Sequence, residues 1–288
     1  MPTDQAEQSD TVAESEAVGL PDDFEWKLLF DFAPELDRDL IRAGLLAHGL
    51  KAEPILISAV THEDDGDSHL SIDFDGHFLV LVRSPQAIPA EVMTLALDSS
   101  NLPAADKAAM RGHKHHMVLE YMSGWDDPTE RMIAMLRVAA VFTKHKLLGV
   151  LDLPAWNALA ASRLPTYLSA RALEEMRKLP PLGVLAGFVK LFKSEDRREV
   201  CFCTKGLHRW SVNDFAMNGK LKDAEEAYRL FEDLFAHSLT LENLIAPGHT
   251  AEVGKCILRF SEMSDYPELF ATPFGTLLLE KIKRANMH

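Results

Sequence analysis

Apolar and polar positions divide the chain into short periodic segments. In "FEWKLLFDF", Trp26, Leu28, Phe30 and Phe32 alternate with Lys27, Leu29 and Asp31, a period of two that predicts a strand. "DRDLIRAGLLAHGL" follows with Leu40, Ile41, Gly44, Leu45 and Ala47 near helical spacing, Asp37 placed to cap its start and Gly49 to end it. "HLSIDFDGHFLVLV" predicts a hairpin. Leu70, Ile72 and Phe74 share one face, Ser71, Asp73 and Asp75 the other, and Asp75-Gly76 suits a two-residue turn that needs positive φ twice. "PAEVMTLALDSS" reads as a short helix behind Pro89, and "HKHHMVLEYM" as a strand. "DDPTERMIAMLRVAAVFTKH" is the clearest helix, with Asp127 and Glu130 at capping-box spacing and Pro128 in the first turn. Its apolar residues run almost all round, which predicts heavy burial.

The order strand, helix, strand, strand, helix, strand then recurs. "KLLGVLDL" reads as a strand, "PAWNALAAS" and "SARALEEMRKL" as helical, and "LGVLAGFVKLF" with "EVCFCTKGLHRW" as a hairpin closed by the charged turn "KSEDRR". "DAEEAYRLFEDLFAHSL" reads as a helix with Asp223 and Glu226 at capping-box spacing, and "KCILRF" as the closing strand. The expected architecture is therefore α+β, two tandem ferredoxin-like βαββαβ units sharing one long sheet. The units span residues 23–145 and 146–288, behind an acidic disordered tail at 1–22.

Composition narrows the function classes. No apolar run approaches the roughly 18–20 residues that cross a bilayer. "MPTDQAEQSD" has neither a basic start nor an apolar core after it, which argues against a secretory signal, and three cysteines make a poor disulfide framework. Cytoplasmic residence with no membrane partner is the expectation. The formal net charge is −14. Such a surface repels phosphate backbones, so nucleic acid is an unsuitable partner and a basic protein a suitable one. The plainer account is that acidity keeps the chain soluble.

Several clusters carry candidate chemistry. In "GHKHHMVLEY", a strand would point His113 and His115 to one face and His116 to the other. Two such histidines are half a zinc or iron site, to be completed by Asp73 and Asp75 of the hairpin or by His69 or His77. The alternative is that they mark the wet mouth of an ordinary strand. Cys201 and Cys203 share one strand face, and only luck of alignment would bring Cys256 and His208 to them, so core packing is the simpler reading. Asp64, Asp65, Asp67, Asp73 and Asp75 lack the spacing of a calcium loop and read as a solvated acidic region. "GVLAGFVK" fails the phosphate-loop spacing, and no G-x-G-x-x-G, H-E-x-x-H, G-x-S-x-G or kinase set is present.

The most distinctive stretch is "TKGLHRW". Gly206 would supply a kink after a strand, from which Thr204, His208, Arg209 and Trp210 emerge as a binding loop. The competing reading buries Trp210 in the core and pairs Arg209 with nearby acids. "FCTKGLHRWSVNDFAM" resembles the C-terminal signature of an uncharacterised bacterial family, domain of unknown function four-two-six-one. Its Thr-x-Gly-Leu turn, aromatic, acidic and apolar positions correspond to Thr204, Gly206, Leu207, Trp210, Asp214 and Phe215. A histidine-bearing strand before a long helix is similar too, and the overlap runs from about 113 to 260. Bulky His208 and Arg209 depart from the family's small residues. The resemblance implies a bacterial cytoplasmic α+β protein and brings no activity with it.

Two function classes follow. One is a non-enzymatic acidic protein-binding module, of a toxin-neutralising or secretion-associated type, needing no cofactor. The other is a hydrolase using one divalent metal ion held by His113 and His115 with the hairpin acids, in which activated water attacks an ester or phosphate.

Overall fold

The computed structural model describes residues 24–50, 55–61, 68–193, 198–241, 243–253, 256–264 and 267–282. The acidic tail and the acids at 64, 65 and 67 lie outside these residues. The first part of the chain forms β1 (Glu25–Phe30), α1 (Arg38–Ala47), β2 (Leu56–Thr61), β3 (Ser68–Phe74) and β4 (His77–Ser84). It continues with α2 (Ala90–Ser99), α3 (Ala104–Arg111), β5 (His115–Ser123), α4 (Pro128–Val141), β6 (Leu147–Asp152) and β7 (Asn157–Ala160). These strands make a seven-stranded antiparallel sheet in the order β2-β3-β4-β5-β1-β6-β7. After α5 (Leu164–Tyr167) and α6 (Ala170–Lys178) come β8 (Gly187–Phe192), β9 (Glu199–Lys205), β10 (Asp214–Lys220), α7 (Ala224–Ser238), β11 (Thr250–Val253), β12 (Cys256–Glu262), α8 (Pro267–Phe270) and β13 (Thr276–Ile282). Here six strands run in the order β11-β12-β13-β10-β9-β8, with β10 and β13 parallel.

Both faces of the first sheet are covered at its β1–β6–β7 end. Trp26, Leu28 and Phe30 meet α1, α4, α5 and α6, while Leu29 and Leu151 meet α2 and α3 on the reverse. Lying centrally, β1 therefore buries Leu28, Leu29 and Phe30 alike, although its sequence alternates. Phe32, expected to extend the same face, falls beyond the strand and stays 40% exposed. In the second sheet, Phe202, Phe215 and Phe260 pack beneath Phe231, Leu234 and Phe235 of α7. No helix among the described residues is long and apolar enough to cross a membrane.

The α+β class is as expected, but the strand orders do not confirm tandem ferredoxin-like units. That topology places the first and third strands of a unit side by side, whereas β5 lies between β4 and β1. Two strands the periodicity passed over, β2 and β7, and the placement of β5 and β6, which it did find, explain this. β2 takes the outside of β3, the β6–β7 hairpin takes the outside of β1, and β5 fills the place between. The first sheet thus continues past residue 145, through Ala160. "PAWNALAAS" is not a helix: Asn157–Ala160 pairs with Gly149–Asp152. Its alanines favour helix locally, but pairing with β6 overrides that preference. "KCILRF" does not close the fold either, because β12 is flanked by β11 and β13.

Local signals fared better. Asp37 accepts from the N–H groups of Asp39 and Leu40, and Gly49 ends α1 at φ 85°. Asp75 and Gly76 take φ values of 49° and 78°, as their hairpin turn requires. Asp127 caps α4 through the Thr129 N–H, but Glu130 pairs with Arg177 instead of completing the box. Asp223 accepts from the Lys220 N–H and gives α7 no side-chain cap.

Candidate functional site

The Thr204–Trp210 turn joins the two sheets. It begins where β9 ends, at a Gly206 whose φ of 95° and close approach to Ala155 leave little room for a side chain. Thr204 Oγ1 donates to Asp214 Oδ1 at 3.0 Å and accepts from the Phe215 N–H at 2.8 Å. The Leu207 N–H donates to the same Asp214 oxygen at 3.2 Å. Burial pushes the Asp214 carboxyl above its ordinary value, against the opposing effects of Lys205, Leu207, His208 and Thr204. Lys205 is buried over the Trp156 ring and donates to Leu269 O at 2.8 Å, and burial lowers its ammonium pKa.

From this turn, Arg209 reaches into the first sheet. Its Nη1 and Nη2 donate to Asp152 Oδ2 and Oδ1 at 2.6 and 2.8 Å. Trp26 Nε1 and the Ala155 N–H donate to the same carboxylate at 3.1 and 3.2 Å. The Arg209 and Asp152 side chains are only 1% and 4% exposed. This closed arrangement holds β6 to the turn after β9. With its oxygens taken by four donors, Asp152 is placed as a structural anion and not as an acid or base facing a substrate. The binding loop expected at Thr204, Gly206, His208 and Arg209 is thus turned inward, because Asp152 and Asp214 supply its polar partners within the chain.

Trp210 differs from its neighbours. Its Nε1 donates to Thr129 Oγ1 at 3.0 Å, its ring meets Phe235 edge-on at 5.5 Å, and it packs against both main cores. The half-buried indole also forms one wall of a groove of about 330 Å³. Leu239, Leu241, Leu244, Ile245 and Phe274 line it together with polar groups such as Asn213 and Asn243, and the first three are 39%, 40% and 41% exposed.

The metal constellation is not brought together. Asp73, Phe78 and Ser123 lie in one row across β3, β4 and β5, whereas His116 pairs with Ser84 at the opposite end. Seven residues of β5 separate those ends, roughly 23 Å at about 3.3 Å per residue. Asp75 lies in the same distant hairpin turn, where it pairs with Arg137. His113 precedes β5 and is buried. Its Nε2 accepts from the Ile88 N–H and its Nδ1 bonds Met110 O, both at 2.8 Å, so both ring nitrogens are taken. Burial depresses its pKa. His115 is half-buried at the start of β5, opposite Phe30. His77 bonds the Tyr121 hydroxyl at 3.0 Å, under the stacked ring of Trp125. Cys201 and Cys203 pack with Val189, Ala216 and Phe270, and Cys256 is half-buried on β12. Among the described residues, no three His, Cys, Asp or Glu side chains are placed to hold a metal ion.

A second concavity of about 310 Å³ lies between β7 and β8, lined by Ser100, Asn157, Arg163 and Tyr167 among others. The Ser100 hydroxyl donates to Leu97 O and the Asn157 amide to Val184 O; Asp106, Ser162, Arg163 and Tyr167 line the rest of its polar surface. Comparison of the chain with protein-family models, curated proteins and solved structures finds no match.

Sequence reasoning singled out Trp210 but missed Asp152 and the groove leucines. "SLTLENLI" did hold a signal: three leucines in a polar stretch beyond a helix that already has its apolar stripe.

Proposed function

We propose that the chain is a non-enzymatic protein-binding module, docking an apolar side chain of a basic partner protein into the Trp210 groove. The observation that carries this reading is the groove itself. Trp210 stands beside three leucines, each about 40% exposed, in a groove whose lining also carries Ser211, Asn213, Ser238 and Asn243. Grouped apolar exposure of this kind marks interaction sites, whereas scattered exposed leucines do not. A Trp held rigidly by Thr129 and Phe235 loses little freedom when covered. The net charge of −14 favours a basic partner, speeding its approach before apolar contact holds it. The hydrolase reading gains no comparable support, because its ligands lie at opposite ends of β5.

The test compares wild type with a Leu241→Asp/Leu244→Asp variant, each isolated gently from the same host and examined by native mass spectrometry. Both leucines are exposed, so circular dichroism and the thermal midpoint should change little. The expected result is one stoichiometric protein adduct on wild type that the variant loses. An adduct kept by both proteins, or none on either, refutes the reading.

A further inference from the structure

The geometry points to a second binding site, at the opposite end of α4 from the Trp210 turn, for a carboxylate or sulfonate carried on a planar apolar body. It is a pocket of about 340 Å³ between the loop after β1 and the turn that leads into β6. Its apolar part comes from Phe32, Pro34, Leu40 and Phe142, and its rim from Lys144, His145 and Lys146.

The floor is built, not incidental. Phe30 packs edge-on against both Phe32 and Phe142, with ring centroids 6.3 and 6.0 Å apart, so the exposed Phe32 ring is backed by a fully buried one. Lys146 adopts a left-handed backbone, φ 58°, and holds Nζ 5.6 Å from the Phe32 centroid. Non-glycine residues rarely take that conformation, and here the exposed Lys146 side chain lies over the Phe32 ring at the pocket rim.

Charge points the same way. In a chain with 44 acids and 30 Lys and Arg, Lys144, His145 and Lys146 are three consecutive basic side chains. Among the described residues, none has a carboxylate within 4.0 Å; of the nearby acids, Asp31 pairs with Lys114 at 2.8 Å, and Glu35 lines the pocket without pairing to the rim. Asp31 lies within electrostatic reach of Lys146 and balances the rim only in part, so an apolar floor under three basic side chains fits a ligand with one anionic group and one flat apolar face. A neutral aromatic would leave the rim unused, and an inorganic anion would leave the floor uncovered. The site is separate from the Trp210 groove and does not depend on the protein-binding reading.

The probe is naphthalene-1-acetate, with its neutral amide and sodium acetate as comparisons, titrated into the full ¹⁵N-labelled chain and followed by NMR. The expected result is saturable shifts confined to residues 31–40 and 142–147, with the amide and acetate each weaker by about tenfold or more. A Lys144→Glu/Lys146→Glu variant should lose the preference for acid over amide, and Phe32→Ala should weaken both ligands together. Equal binding of acid and amide to wild type overturns the inference. So do shifts scattered over the surface, or binding unchanged in the double variant.

Discussion

Replacing Arg209 by Met tests the joint between the sheets most directly. The change keeps much of the side-chain volume and removes both guanidinium bonds to Asp152. The carboxylate, only 4% exposed, would retain just Trp26 Nε1 and the Ala155 N–H. Stripping one partner from a buried ion pair costs about 3–5 kcal/mol, because the remaining charge is neither solvated nor paired. Against a total stability of about 5–15 kcal/mol, that is a large share. Asp152→Asn is the complementary change. It preserves an acceptor for Trp26 but removes the Asp152 charge from a guanidinium that is 1% exposed, and it should cost a similar amount. In the double variant neither charge remains, so its cost should fall below the sum of the singles by about 2–3 kcal/mol. Urea unfolding followed by far-ultraviolet circular dichroism measures all four proteins. Additive single effects, or singles below about 1 kcal/mol, would refute the reasoning, since an exposed ion pair contributes no more than that.

His113→Ala removes the acceptor of the Ile88 N–H and should cost about 1–3 kcal/mol, to the same extent in excess zinc and in chelator. A loss seen only with the chelator absent would restore the metal reading. Burial lowers the pKa values of His77 and His113, so the unfolded chain binds protons at a higher pH than the folded one. Their stabilisation is therefore full above the unfolded value near 6.5 and is lost as pH falls through the lower folded values, by at most about 1.4 kcal/mol per pH unit for each group. Urea midpoints should decline from pH 7.5 towards 5.5, and a flat or rising profile would contradict the burial of these rings. Gly187→Ala places a Cβ 2.0 Å from Ala155 O, where backbone must move, and should lower the urea midpoint by the equivalent of about 1–3 kcal/mol. A midpoint equal to wild type would mean that β8 does not approach the first sheet so closely.

Where a sequence signal was local, it could be read. The φ-positive Asp75-Gly76 turn, the Asp37 cap and the all-round apolar α4 each depend on neighbours within a few residues. The signals that misled were local too, but they were overruled from a distance. "NALA" is helical by propensity and becomes β7 because β6 offers it a ladder. The strand β2, "LISAVT", sits at an edge with one paired side and mixes small, polar and apolar residues, so it shows no clean alternation. His113 and His115 looked like ligands because spacing along one strand was visible, whereas the register against β4 was not. That register sends the acids to the other end.

The Arg209-Trp210 pair shows why composition misjudges such a site. Desolvated arginine and tryptophan with well-placed partners make a strong contact between two surfaces, whether or not those surfaces belong to one chain. Here the two sheets supply both sides for Arg209: the turn after β9 brings the guanidinium and the end of β6 brings the carboxylate, 57 residues earlier. Nothing near residue 209 in the sequence could announce Asp152 as its partner. Trp210 is fastened by the same joint, through Thr129 and Phe235, yet its outer face is left beside leucines that no other element covers among the described residues. The joint therefore fixes the wall of the groove, and the rigidity spent on holding the sheets together also preorganises the surface on which a partner would land.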